Sequence, residues 1–387
     1  INIPITSPIC IAVLNRPSAG ALLGYSWQRN KPARSSRRAV PPSRCGSPPA
    51  ARPAGTMGDY HMTYGDSAKA AASRLAEETR RAAYAERHPS LSRDGEAGFF
   101  DAYAPEACPW CGSLRFRRDG HDRNGVQRCR CLGCRRTFTP ATGTIFDSRH
   151  LPVSEWAMFL PKILGSESEA ACARDRQRSS ETPPCWTAKL FGVLAGCQDG
   201  TVPADRIWPD ETCWPADPED RRRNADGSAM RGLSRNKACI GIAVDIHGAS
   251  LHLDEGPGKT SRKRTWDAFG SHMERGSELV HDREKSHRVL AERLDLESEA
   301  YDAKRCCMLP DKDNPLNMAS QECSLLKKFL RSHSGFRAAD IQGWLDLWWV
   351  SRNVGDTMDE KVAWVLDRAM RCRKVLRYRD FYAKKTS

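Results

Sequence analysis

Four cysteines stand in two pairs of identical spacing, Cys108-Pro-Trp-Cys111 and Cys131-Leu-Gly-Cys134, with nineteen residues between them. A CxxC turn aims two thiolates at one ion, and two such turns complete the closed tetrahedral shell that structural zinc prefers. The ion then replaces a core that so short a segment cannot build. A redox dithiol or chance clustering is the competing reading. Cys129 makes the local string RCRC, but its offset from Cys134 does not repeat the turn. Arginines crowd the same segment, with Phe116 and Phe138 interleaved. Guanidinium groups beside aromatic rings suit phosphate clamping, which nominates Arg117, Arg118, Arg130, Arg135 and Arg136 as DNA contacts. The bland alternative is a solvated basic face around a purely structural ion, as in ribbons that serve protein assembly.

The elements that must position these residues form a long chain of 387 residues, enough for two or three domains. Lysine and arginine total 61 against 48 acidic residues, a formal charge of +13 that fits a polyanionic partner. No apolar run reaches eighteen residues, which argues against a membrane helix, and the proline-broken start reads poorly as a signal peptide. The expected location is the bacterial cytoplasm, at the nucleoid. There the 16 scattered cysteines, with one tight cluster, favour metal over disulfides. Residues 1–56, rich in proline, serine and arginine, are expected to be disordered. The first methionine is Met57, so this stretch also reads as translated upstream sequence. A helical segment over 57–103 contains the alanine-rich stretch 67–88. The ribbon follows over 104–146, and a helical linker over 147–200 is interrupted by Pro161. From Ile207 short apolar runs between turns (ACIGIAVDIHG, SLHLDEG, SELVHD) read as strands, with helices at 286–294 and 319–331. The last ninety residues read as wholly helical. Strands followed by helices predict an α/β domain over 201–355, closed by a C-terminal helix over 356–387.

Strings in this order become specific: CPWCGS, RCRCLGCRRTFTPATGTIF, LPVSEW, WTAKLFGVLAGCQDG, IWPDET, RGLSRNKACIGIAVD, SELVHDREKSH, KDNPLN, LLKKFLRSH and WLDLWWV. Over roughly residues 105–380 the chain resembles bacterial insertion-sequence DDE transposases, which join an N-terminal zinc ribbon to an RNase H-like (ISXO-like) catalytic domain. The resemblance implies an RNase H-like mixed sheet with flanking helices, preceded by the ribbon and a helical segment. It also implies magnesium or manganese as catalytic ions, double-stranded DNA with terminal inverted repeats as partner, and a homo-oligomer on that DNA. Asp210, in IWPDET, matches the family's first aspartate, and Asp282, in SELVHD, matches its second. Hard divalent ions demand such oxygen donors. Taken without the resemblance, an aspartate after an apolar run is more often a turn residue or a helix cap.

The third position departs from the family. Ser320 stands where an asparagine or glutamate is expected, and Cys323 where an aromatic residue or histidine is common. Glu322 lies about 200° round the helix from Ser320, while Asn317 shares roughly its face. Lys327 and Lys328 put positive charge on the same helix, suited to transposon-end phosphates or to plain solvation. Pro209 falls inside an expected central strand, where it removes a ladder hydrogen bond. His281 alternates with Asp282 along a strand, so a packed or solvated histidine is expected there rather than a general base. Two readings follow: a transposase that cuts and rejoins DNA, or an inactive, decayed remnant that acts at most as a zinc-ribbon DNA-binding protein. A third, a zinc-ribbon assembly module with an unrelated C-terminal domain, sits poorly with the ordered strings.

Overall fold

The computed structural model describes residues 93–383 apart from 148–149, 216–220, 229, 231–233 and 334, together with Leu75 and Ala82. All of these belong to the compact unit Gly65–Ser387. Residues 1–56 and most of the alanine-rich stretch 67–88 lie outside the described residues; within that stretch Leu75 and Ala82 are helical.

Among the described residues two sheets are built. The first is a three-stranded antiparallel sheet of β1 (Phe116–His121), β2 (Gln127–Cys131) and β3 (Thr137–Phe138), preceded by helix α1 (Arg93–Asp101). Helices α2 (Val153–Leu164), α3 (Glu169–Asp175) and α4 (Thr182–Leu194) follow. The second sheet opens with an antiparallel meander, β4 (Arg206–Pro215), β5 (Lys237–Asp245) and β6 (Ser250–Pro257). Helix α5 (Arg262–Phe269) leads to β7 (Glu278–His281), and α6 (Arg288–Leu294) leads to β8 (Glu297–Ala300). β7 pairs parallel with β4, and β8 parallel with β7, so the order across the sheet is β6-β5-β4-β7-β8. The fold is α/β and RNase H-like. After a short α7 (Ala303–Cys306) come α8 (Asn317–Ser332), α9 (Ile341–Asn353), α10 (Met358–Arg371) and α11 (Tyr378–Ala383).

Strand alternation sorts the side chains into two cores. Ile207, Ala243, Leu251 and Leu279 pack on one face against Phe269, Val289 and Leu290 of α5 and α6. Ile240, Ile242 and Val244 turn to the other, against Leu326, Phe329 and Leu330 of α8 and Trp348 of α9. Coverage of both faces explains why β5 is an almost continuous buried run rather than a polar and apolar alternation. The tight turn from β5 to β6 is held by Asp245, whose carboxylate accepts the N–H groups of His247, Ala249 and Ala204.

Helices α2 and α4 do not stand apart as a spacer. Phe100, Phe146, Trp156, Phe159 and Leu190 share one buried cluster with Leu345 and Val350 of α9 and Val365 and Met370 of α10. Glu96 of α1 caps α2 by accepting the N–H groups of Val153 and Ser154 at 2.9 and 3.0 Å, where the helix leaves orphan donors. Glu155 is buried but neutralised by Arg176 at 3.0 Å and Arg178 at 2.7 Å. α2 runs through Pro161 to Leu164. An interior proline costs about 3 kcal/mol, and the burial of Phe159, Leu160, Ile163 and Leu164, at about 1.5–3 kcal/mol each, outweighs it.

Two elements differ from expectation. Within the last ninety residues, expected to be wholly helical, β8 extends the sheet; its string ESEA carries no apolar alternation because it is a short, charged edge. Residues 356–387 hold two helices, α10 and α11, rather than one. Pro209 sits in β4 opposite Ala243 without breaking the strand. The bond from Ile246 N–H to the Arg206 carbonyl makes 206, 208 and 210 the positions that bond toward β5, so Pro209 faces β7. There the β4–β7 ladder ends at Ile207↔Leu279, because Pro209 has no N–H to give the next rung, so the expected loss of a ladder hydrogen bond falls on this side of the strand.

Candidate active site and metal centres

The ribbon cysteines converge. Cys108 Sγ lies 3.7 Å from Cys134 Sγ, and Cys111 Sγ lies 3.6 Å from Cys131 Sγ. All four sulfurs fall within 4.8 Å of one another. Tetrahedral coordination at a Zn–S distance of about 2.3 Å separates sulfurs by about 3.8 Å, so the donor set fits structural zinc. The N–H of Cys134, together with that of Gly133, points at the Cys131 sulfur and lowers its thiol to about 6, as a thiolate ligand requires. Around this centre Arg117, Arg118, Arg135 and Arg136 are exposed. Arg136 lies over the Trp110 ring at 5.4 Å, and Arg130 is engaged by Asp119 at 3.0 Å.

The parallel register of β4 and β7 aligns Ile207 with Leu279. Three residues further along the chain from each come Asp210, still in β4, and Asp282, the first residue after β7, both past the point where the ladder ends. Asp210 accepts the Glu211 N–H at 2.8 Å through Oδ1 and the Cys323 thiol at 3.5 Å through Oδ2. Burial pushes the Asp210 carboxyl up, and the charges of Glu211 and Asp282 push it the same way, against the two hydrogen bonds. The two aspartates therefore lie in each other's field, a like-charge repulsion that a divalent cation relieves. Asp282 Oδ1 accepts the Glu284 N–H at 3.0 Å.

From α8, the side chain that touches Asp210 is Cys323. Ala319 packs on Trp208 and Val280, and Cys323 follows one turn later. Burial and the Asp210 charge push the Cys323 thiol up, so it stays protonated as a donor. Ser320 is exposed, and Asn317 gives its amide to the Asp311 carbonyl at 2.9 Å. Glu322 points elsewhere, to His252 at 2.9 Å, Trp348 Nε1 at 2.7 Å and Arg352 at 3.2 Å. Lys327 is half-buried and its charge acts on Cys323, whereas Lys328 is exposed.

No family model and no curated protein matches. Among solved structures, the catalytic domain of Mos1 mariner transposase is similar at 14% identity, covering 48% of this chain and 91% of that one, with a TM-score of 0.24. The Mos1 mariner paired-end complex with Mn is similar at 12% identity over 58% and 77%, TM-score 0.25. A Mos1 paired-end complex with the left transposon end is similar at 14% identity over 59% and 81%, TM-score 0.24. At these values the fold assignment rests on the chain's own sheet order.

Two further residues belong to this neighbourhood and escape sequence reasoning. Glu211, on the opposite face of β4 from Asp210, holds His287 Nε2 at 3.1 Å and the Ser286 hydroxyl at 3.2 Å. His287 Nδ1 lies 3.9 Å from Asp282 Oδ1. Period-two alternation separates His281 from Asp282 only while the strand lasts. The strand ends at His281, and Arg283 takes a left-handed φ of 68° that folds the chain back. The string HDREKSH held both histidines, but nothing in its spacing announces that turn.

Among the described residues no helix is long and apolar enough to cross a membrane.

Proposed function

We propose that this chain is a transposase of the bacterial insertion-sequence DDE type, which binds the terminal inverted repeats of its element and catalyses strand cleavage and transfer. What supports the reading is the β4–β7 register, which carries two acidic side chains from distant parts of the sequence into mutual electrostatic reach. In it Asp210 and Asp282 hold magnesium or manganese. Held there, the ions would supply activation of the attacking hydroxyl and stabilisation of the leaving oxygen. Asp210 stays bound to the Glu211 N–H and the Cys323 thiol, which fix its orientation. The ribbon, with zinc on Cys108, Cys111, Cys131 and Cys134, presents Arg117, Arg118, Arg130, Arg135 and Arg136 to the backbone phosphates of double-stranded DNA. Lys327 and Lys328 of α8 extend that surface, and the protein acts as a homo-oligomer at the nucleoid.

A second reading draws on α8. That helix offers Asp210 a thiol, while Ser320 is exposed and Glu322 is consumed by Arg352, so the third acidic ligand of a DDE site is missing. The chain would then bind transposon ends without cutting them. Strand transfer on a labelled transposon end with magnesium or manganese separates the two. The transposase reading expects Asp210→Asn and Asp282→Asn each to lose on the order of a hundredfold or more in rate. Equal signals from wild type and variants, or none from any, defeat it. End binding with no transfer favours the second reading.

A further inference from the structure

We propose that His281, Asp282 and His287 form a binding site for a divalent transition-metal ion such as Mn²⁺, Fe²⁺ or Zn²⁺. One nitrogen of each imidazole and the carboxylate of Asp282 fall within 4.8 Å of one another. Both histidines are almost fully buried, at 3% and 1% exposure, whereas Asp282 is half-exposed and leaves the site open to solvent on one side.

The hydrogen bonding selects the donor atoms. His287 Nε2 faces Glu211 Oε1 at 3.1 Å, and a carboxylate accepts there, so Nε2 carries the proton and Nδ1 is the nitrogen that offers a lone pair when the ring is neutral. His281 Nε2 is 3.0 Å from the Ser298 hydroxyl, which can accept from it or donate to it, and either way Nε2 is engaged and Nδ1 is the nitrogen left over. Both Nδ1 atoms are left buried without a hydrogen-bond partner. Two orphaned imidazole nitrogens in one cluster are costly in a protein interior unless something is bound to them. A carboxylate on the far nitrogen of a metal-bound histidine is the arrangement that fixes its tautomer and raises its basicity.

Donor chemistry sets the ion class. Two imidazoles and one carboxylate with open positions suit transition metals, whereas magnesium prefers oxygen alone. The 3.9 Å from His287 Nδ1 to Asp282 Oδ1 is too long for a hydrogen bond. Two donors about 2.1 Å from one ion sit roughly 3.0–3.4 Å apart, so binding draws them together by about 0.5–0.9 Å. The carboxylates of Glu211 and Asp210 add the negative field a cation needs.

The site shares Asp282 with the proposed catalytic pair, so the test must report the nitrogen ligands rather than activity. The full-length chain, with zinc on its ribbon, is titrated with Mn²⁺ and examined by pulsed electron paramagnetic resonance. Wild type is expected to show ¹⁴N coupling from two imidazoles. His281→Gln and His287→Gln should each remove one coupling and weaken Mn²⁺ binding about tenfold or more. Asp210→Asn should keep both couplings even where strand transfer is lost, which keeps this claim distinct from the catalytic one. Mn²⁺ bound without nitrogen coupling in wild type, or no Mn²⁺ bound at all, overturns the proposal. The wild-type spectrum decides it even if a histidine variant does not fold.

Discussion

Glu255 on β6 is 6% exposed, and its Oε1 has no hydrogen-bond partner while Oε2 accepts from the Thr260 hydroxyl. Burial raises its carboxyl to about 7, with Glu211 adding repulsion and Thr260 and His287 opposing. A carboxyl raised in the folded state favours folding only while protonated. Its contribution is complete below about 4.5, the unfolded value, and is lost as pH rises through about 7. Each pKa unit is worth about 1.4 kcal/mol, so the loss reaches roughly 3–3.5 kcal/mol by about pH 8. Glu255→Gln, which never ionises, should therefore be more stable than wild type at pH 8 and should lack the decline between pH 5 and 8. Urea unfolding of both proteins at those two pH values checks it; parallel curves would show that Glu255 is solvated. At this scale the sequence was legible wherever chemistry follows from local spacing. The thiols of Cys108 to Cys134 are such a case, because a CxxC turn needs no tertiary context. Asp210 and Asp282 were legible only through the family strings around them. Glu211 and His287 were not, because they meet through a sheet face and a left-handed residue at Arg283.

At the scale of elements, α4 and α9 approach closely enough that one side chain decides their separation. A Cβ on Gly343 would overlap the Phe191 ring, which also packs edge-on against Trp344 at 5.3 Å. Alanine is the better helix former by about 1 kcal/mol, so propensity alone predicts that Gly343→Ala stabilises α9. Overpacking typically costs about 1–3 kcal/mol, and with such an overlap the Phe191 ring or the whole helix must shift, so we expect a net loss of about 1–2 kcal/mol. Thermal denaturation should show a lower Tm, and Phe191→Leu in the same chain should recover part of it. A Tm above wild type would mean that the helices slide apart freely. The same contrast explains which elements could be read in advance. β5, β6 and β7 follow from apolar runs between turns, and α8 from its stripe of Ala319, Cys323, Leu326 and Leu330. β8 and α5 carry no such stripe: the string RKRTWDAF buries only Thr265 and Phe269, and its start is marked by the Ser261 cap alone. Their form is imposed by the sheet they flank.

On the scale of the whole molecule, the ribbon is a part whose core is too small to hold itself. Cys108, Cys129, Cys131 and Phe138, with Phe116 beside them, form a cluster of their own. The segment behind it is anchored differently. Val126, Ala141, Ile145 and Phe146 belong to the large helical core, and Arg373 donates to the carbonyls of Pro140 and Thr142. Removing zinc, by chelation or by Cys131→Ser with Cys134→Ser, should therefore unravel β1 to β3 and stop at the anchor. Hydrogen exchange should show protection lost at the cysteine end of the ribbon, residues 116–118 and 129–138, and kept around the core-anchored Val126 and in β4 to β6, while the main thermal transition moves little. If the ribbon carries the phosphate contacts, affinity for end DNA should fall at the same time. The slope of log affinity against log salt should then shrink by about one for each arginine that no longer meets a phosphate. Arg130, held by Asp119, should matter less to that slope than the exposed Arg117 and Arg118. Ribbon amides that stay protected without zinc would mean that the four thiols are not a folding centre. Loss of the main transition would mean instead that the ribbon is integral to the core, and unchanged DNA affinity would move the binding surface to the sheet and α8.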